Sequence, residues 1–164
     1  MSEQHVKGLA ELQKVMDQLP AKLERNVMRG ALRAGMKVIQ PVAKANIHSV
    51  SGQLAAGLKI GTKARGGTVL SYLRAGGPHG YLAKWVEFGT RAHNISAKKG
   101  GWLSFMNVFT KTIAHPGARP KPFLRPALDG QASAAVNAAA AYMRARLASK
   151  HGLDTSDVRL EGDE

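Results

Sequence analysis

Apolar residues at Val6, Leu9, Leu12, Val15, Met16 and Leu19 recur at three- and four-residue steps, which places one stripe on a helix that Pro20 ends. A second helix is predicted from about Ala21 to Ile47. Placed at ~100° per residue, its apolar half gathers Leu23, Val27, Met28, Ala31, Leu32, Ala34, Val38, Ile39 and Val42. Pro41 falls inside this pattern, where it deletes a backbone donor and is expected to kink or divide the helix. Ser51-Gly52-Gln53-Leu54 offers one more helical turn with Ser51 as its cap. The period then changes to two. Leu58, Ile60 and Thr62 alternate, as does Thr68 to Arg74, and Arg65-Gly66-Gly67 between them predicts a β-hairpin.

Gly76-Gly77-Pro78-His79-Gly80 breaks the chain again, and Tyr81 to Phe88, ended by Gly89, is long enough only for a short helix or strand. Trp85 within it is expected to anchor the core. Arg91 to Lys121 reads as a basic, irregular loop or arm around an apolar patch from Trp102 to Phe109. Pro120, Pro122 and Pro126 lead into a last helix, from Phe123 or Asp129 to Lys150, whose stripe is Val136, Ala139, Ala140, Met143 and Leu147. Its small side chains let another backbone come close. The expected fold class is α+β: N-terminal helices, a small antiparallel sheet with a long loop or arm, and a C-terminal helix. Residues 1–150 are expected to form a single domain, and 151–164 an acidic, mobile tail.

Charge sharpens this outline. The chain of 164 residues carries a formal +13, unevenly spread. Residues 1–60 hold nine Lys/Arg against four Asp/Glu, 61–125 hold eleven against Glu87 alone, and 126–164 hold four against six. Within the second helix Lys22, Arg25, Arg29, Arg33, Lys37 and Lys44 fall within about 120° of one another. Like charges four apart cost an isolated helix a few tenths of a kcal/mol each, so this arc is either a solvated face, a contact for nucleic-acid phosphates, or a contact for an acidic partner.

Chemistry is sparse. With no cysteine there is no disulfide framework and no thiolate metal site. General acid–base catalysis needs paired titratable groups, and the central segment offers one carboxylate, Glu87. The histidines at 5, 48, 79, 93, 115 and 151 lack metal-site spacing, although Glu87, His93 and His115 remain a conceivable set in three dimensions. Glycine pairs at 66–67, 76–77 and 100–101 lack the Gly-Lys-Ser/Thr ending of a phosphate loop. Ser51 and Ser104 have no nucleophile-elbow context. No catalytic residue, cofactor or metal is expected, and sequence-specific reading of nucleic acid is not expected either. The polar start of the chain lacks a signal peptide's apolar stretch, and no segment approaches the ~18 apolar residues of a membrane span. The protein is expected to be made in the cytoplasm and to stay soluble.

The order of motifs resembles the tail-completion or head-to-tail joining family of lambda-like long-tailed phages, the minor tail protein Z type. The matching segments are Val6-Lys7-Gly8-Leu9 with Leu12, the basic helix to Ala45, and Ser51-Gly52-Gln53-Leu54. They continue with Trp85-Val86-Glu87-Phe88-Gly89-Thr90, His115-Pro116-Gly117, and Pro122-Phe123-Leu124-Arg125-Pro126-Ala127 before the terminal helix. In that family the Glu-Phe-Gly-Thr segment follows an aromatic-alanine stretch, of which Gly80-Tyr81-Leu82-Ala83 is an approximate version. The resemblance implies a non-enzymatic virion protein of the neck or upper tail. Such a subunit sits six to a ring, beside connector, tail-terminator and tail-tube proteins, and helps join the tail to a DNA-filled head.

On that reading the basic arc faces packaged DNA or an acidic ring, and no membrane is involved. Trp102, Phe105, Phe109, His115, Phe123 and Arg125 are the candidates for contact between subunits. For Phe123 the alternative is a plug in its own core that fixes the start of the last helix. The alternative function is a stand-alone, non-specific nucleic-acid-binding protein.

Overall fold

In a computed structural model, residues 9–17, 21–48, 52–105 and 108–151 are described. Two long helices carry the fold: α2 (Ala21–Ala45) and α5 (Leu124–His151). They run antiparallel, because Val27 and Ala31 of α2 share a cluster with Ala140, Met143 and Leu147, while Ile39, Ala43 and Ile47 share another with Phe123, Ala127 and Ala135. The expected close approach of backbones is realised between these two helices. A Cβ on Gly35 would lie 2.6 Å from the Ala135 carbonyl oxygen, and α5's alanines complete the fit. Helix α1 (Leu9–Met16) closes one end by burying Leu12 and Met16 against Leu147 and Val27. Val6, Leu19 and Ser51 lie outside the described residues, and the side chains of Leu9 and Val15 are not among those described.

Helix α2 is not divided at Pro41. The proline sits on its exposed side, where the carbonyl left without a donor faces water, and buried Ile39 and Ala43 hold the helix on both flanks. The following turn, α3 (Gln53–Ala56), has Gly52 at its N-cap in the left-handed region (φ 65), a backbone conformation that suits glycine.

The hairpin forms as expected, from β1 (Leu58–Arg65) and β2 (Thr68–Ala75) in a register running from Leu58↔Ala75 to Arg65↔Thr68. Gly66 and Gly67 make the two-residue turn with φ 57 and 81, the pair of positive values that matches strand twist in a tight hairpin. One face packs on α2, tied at its start by the Gln40 side-chain amide donating to the Leu58 carbonyl at 2.8 Å. The other face is turned to solvent.

Two expectations are corrected. Trp85 is not a core anchor but half exposed, at 50 %. In α4 (Leu82–Phe88) the inward positions fall to Ala83, Val86 and Glu87, so Trp85 points outward and meets Tyr81 edge-on at 5.4 Å. The segment after Gly89 is not irregular either. It holds β3 (His93–Ser96) paired antiparallel with β6 (Thr112–His115), and β4 (Leu103–Phe105) paired with β5 (Val108–Thr110). These strands pack chiefly on each other, and β3 is exposed on both faces, so no burial imposes the alternation that would betray a strand. The architecture is α+β, with helices first and last and small antiparallel sheets between them.

Candidate functional site

The base of this β-arm is where two separated motifs meet. The buried side chain of Glu87 in α4 accepts hydrogen bonds from the first amides of α5: Phe123 N–H at 2.8 Å and Leu124 N–H at 3.0 Å to Oε2, and Arg125 N–H at 3.2 Å to Oε1. A helix's first amides have no partner of their own and form its positive end, so a carboxylate from elsewhere in the chain caps it. Burial pushes the Glu87 carboxyl up, but the amides of Leu124, Phe123 and Arg125, helped by the Arg125 charge, outweigh it and hold the carboxyl below the usual 4.5.

Backbone bonds complete the joint. Lys121 N–H donates to the Val86 carbonyl at 2.8 Å, and Thr90 and Ala118 exchange amide-to-carbonyl bonds of 2.9 and 3.1 Å. Gly89 (φ 70) and Gly117 (φ 87) sit in the left-handed region, and a Cβ on Gly117 would collide with the Thr90 carbonyl oxygen. The Glu-Phe-Gly-Thr and His-Pro-Gly segments are thus two halves of one structural hinge-post, and Pro122 to Pro126 is the helix start that it fixes.

The candidate residues fall into distinct places. Phe123 is fully buried in its own chain's core, as the plug alternative has it, while Arg125 is exposed beside Glu87. His115 stacks across the ladder on His93, ring centroids 5.0 Å apart, with its Nδ1 accepting from Gly117 N–H. Glu87 does not form a metal-binding cluster with these histidines among the described residues. Farther out, Trp102 and Phe109 are 64 % and 68 % exposed, with Val108 at 61 %, and the Lys111 ammonium lies 5.4 Å over the Trp102 ring. Phe105 is in β4, and its side chain lies outside the described residues.

On α2, Arg25, Arg29, Arg33 and Lys37 form one exposed row, four residues apart. Lys44 is half buried, and the Lys22 side chain is not among those described. A second basic surface escaped the sequence reading: the solvent face of the hairpin carries Lys59, Lys63, Arg65 and Arg74 around exposed Leu70 and Tyr72. The signal was present in the alternation of β1, whose outward positions include Lys59, Lys63 and Arg65. Also missed was the aromatic outer face of α4, where Tyr81, Trp85 and Phe88 are exposed.

No clustered metal-binding side chains occur among the described residues of this basic α+β chain. Residues 10–89 match the family described as "HK97-gp10_like: Bacteriophage HK97-gp10, putative tail-component". Over that stretch the chain is similar to a structural tail component of a bacteriophage, the class that the sequence resemblance pointed to. No curated protein and no solved structure matches the chain. No helix among the described residues is long and apolar enough to cross a membrane.

Proposed function

We propose that this protein is a non-enzymatic structural subunit of the phage virion, placed in the neck or upper tail. It assembles as a ring, six to the ring, that completes the tail and joins it to the DNA-filled head. The observation that carries this reading is the β-arm. An arm that leaves a tryptophan, a phenylalanine and a valine more than three-fifths exposed is poorly suited to a solitary protein and well suited to a neighbour's surface. The match to a phage tail component supports the class, and the neighbours on this reading are connector, tail-terminator and tail-tube proteins.

The test is to make particles with the Trp102→Ser, Phe109→Ser double variant. Folded protein with heads and tails left unjoined is the expected result; normal yields of infectious particles would refute the assignment.

The exposed cationic faces of α2 and the hairpin favour a second reading, a stand-alone protein that binds nucleic acid without sequence preference. Within the neck reading the same faces serve packaged DNA or an acidic ring. The two readings separate on whether particles form without the protein: a dispensable protein whose DNA affinity falls steeply with salt belongs to the second.

A further inference from the structure

The solvent face of the hairpin sets its side chains in four facing pairs: Lys59 with Arg74, Gly61 with Tyr72, Lys63 with Leu70, and Arg65 with Thr68. Successive pairs stand ~7 Å apart, so the face is ~20 Å long. All of these positions except Gly61 are exposed, and none is acidic. Like charges directly opposite one another, as Lys59 and Arg74 are, weaken a strand pair, so the hairpin's own stability does not ask for this arrangement. Between residues 25 and 128 the only carboxylate is Glu87, which is committed to the start of α5. The segments that flank the hairpin in sequence therefore bring it no counter-charge.

An aromatic ring is set among the cations. Tyr72 reaches from β2 across Gly61, where an added Cβ would lie 2.5 Å from the ring's Cε2 and Cζ. A glycine inside a strand weakens it, and here the missing side chain makes room for the ring. Gly61 is two residues from Lys59 and from Lys63 on the same face, so the ring lies between those two positions while Tyr72 stays 42 % exposed. Leu70, 59 % exposed, adjoins it along β2. The face is thus divided lengthwise: β1 supplies cations in line, and β2 supplies Tyr72 and Leu70 beside them. A polyanion with open, flat bases satisfies both halves. A duplex offers the charge but keeps its base faces inside the stack, whereas a single strand offers charge and bases together.

We propose that the outer face of the β1–β2 hairpin binds single-stranded nucleic acid, with Lys59, Lys63 and Arg65 following the phosphates along β1 and a base stacking on Tyr72. Recognition is by charge and ring face, so it is indifferent to base sequence. The proposal rests on the nucleic-acid reading of the cationic faces, and adds to it the form of the nucleic acid and the residue that selects that form.

The test is fluorescence anisotropy of full-length protein with labelled oligothymidylate, oligouridylate and a duplex of the same length. The two single strands assign the ligand to DNA or RNA by which binds more tightly. Tyr72→Ala is expected to weaken single-strand binding about 5- to 150-fold, Tyr72→Phe to keep it within about twofold of the parent, and neither to change duplex binding. Lys59→Gln with Lys63→Gln alters only exposed positions, and should lower the slope of log affinity against log salt for single strands by about 1.4, at ~0.7 for each phosphate contact. Single-strand binding unchanged in folded Tyr72→Ala would overturn the proposal, as would an unchanged slope in the lysine variant. Polyglutamate that displaces the strand at equal charge, from parent and Tyr72→Ala alike, would assign the face to an acidic protein instead. Duplex binding without single-strand binding would sink this proposal alone; binding of neither would sink the nucleic-acid reading with it.

Discussion

Glu87 holds a buried charge without a buried counter-ion, because the start of α5 supplies three amides to it. Hydrogen bonds to a charged group contribute roughly 1.5–3 kcal/mol each, and amides left buried without an acceptor cost about 1–3 kcal/mol each. Glu87→Ala should therefore destabilise the fold by about 3 kcal/mol or more, read as a lowered midpoint in urea. Glu87→Gln keeps an acceptor but loses the charge, so it should cost less. The pH dependence has a definite sign. The folded carboxyl lies below the ordinary 4.5, so its contribution is full above that value and is lost as pH falls through the folded value. The stability difference between parent and Glu87→Gln should thus be flat near neutrality and shrink as the solution is acidified below 4.5. A difference independent of pH would show that the cap is not ionic. This role was not legible beforehand. Glu87 was singled out as the lone central carboxylate, but its partners lie 36 to 38 residues away, and no local spacing reports a cap from that distance.

At the scale of elements, legibility followed burial. The hairpin could be read to within a few residues because its inner face packs on α2 and its turn needs two glycines. The two long helices could be read because their stripes face each other, and Pro41 misled only because its position on the exposed side was invisible in one dimension. The arm could not be read as strands, since neither face is buried. What remained legible there was the apolar patch from Trp102 to Phe109, of which Trp102, Val108 and Phe109 are exposed in the structure. Gly117 belongs to the joint at the base of the arm: Gly117→Ala forces a Cβ into the Thr90 carbonyl at a positive φ, which costs about 1–2 kcal/mol in backbone strain before the collision is counted. Loss of protease resistance in the arm, with α2 and α5 intact by circular dichroism, is the expected outcome. Helix α2 makes a separate prediction. Arg29→Glu with Arg33→Glu changes only exposed positions, so the fold should keep its stability to within ~0.5 kcal/mol while neck assembly or DNA retention fails. Unchanged infectious particles would mean that the basic row is simply solvated.

For the molecule as a whole, charge and apolar surface pull assembly in opposite directions, and salt separates them. Each chain brings +13, so the six-membered ring proposed above, joined through apolar arms, would have to overcome repulsion between like surfaces. Screening lengths fall from ~30 Å at 0.01 M to ~8 Å at 0.15 M salt, which weakens that repulsion and leaves apolar burial intact. Contacts with nucleic-acid phosphates respond in the reverse sense, because each one releases bound counterions whose gain shrinks as salt rises. Sedimentation of the purified protein from 0.05 to 0.5 M salt should therefore show the larger species growing, while its affinity for a random duplex over the same range drops by orders of magnitude. The Trp102→Ser, Phe109→Ser variant should lose the first response and keep the second, since the arm's apolar tip and the cationic faces of α2 and the hairpin are separate surfaces. If the parent stays monomeric at every salt concentration, a ring would have to be imposed by neighbouring neck proteins, not by the arm alone. Only the phosphate contact would then describe the free protein.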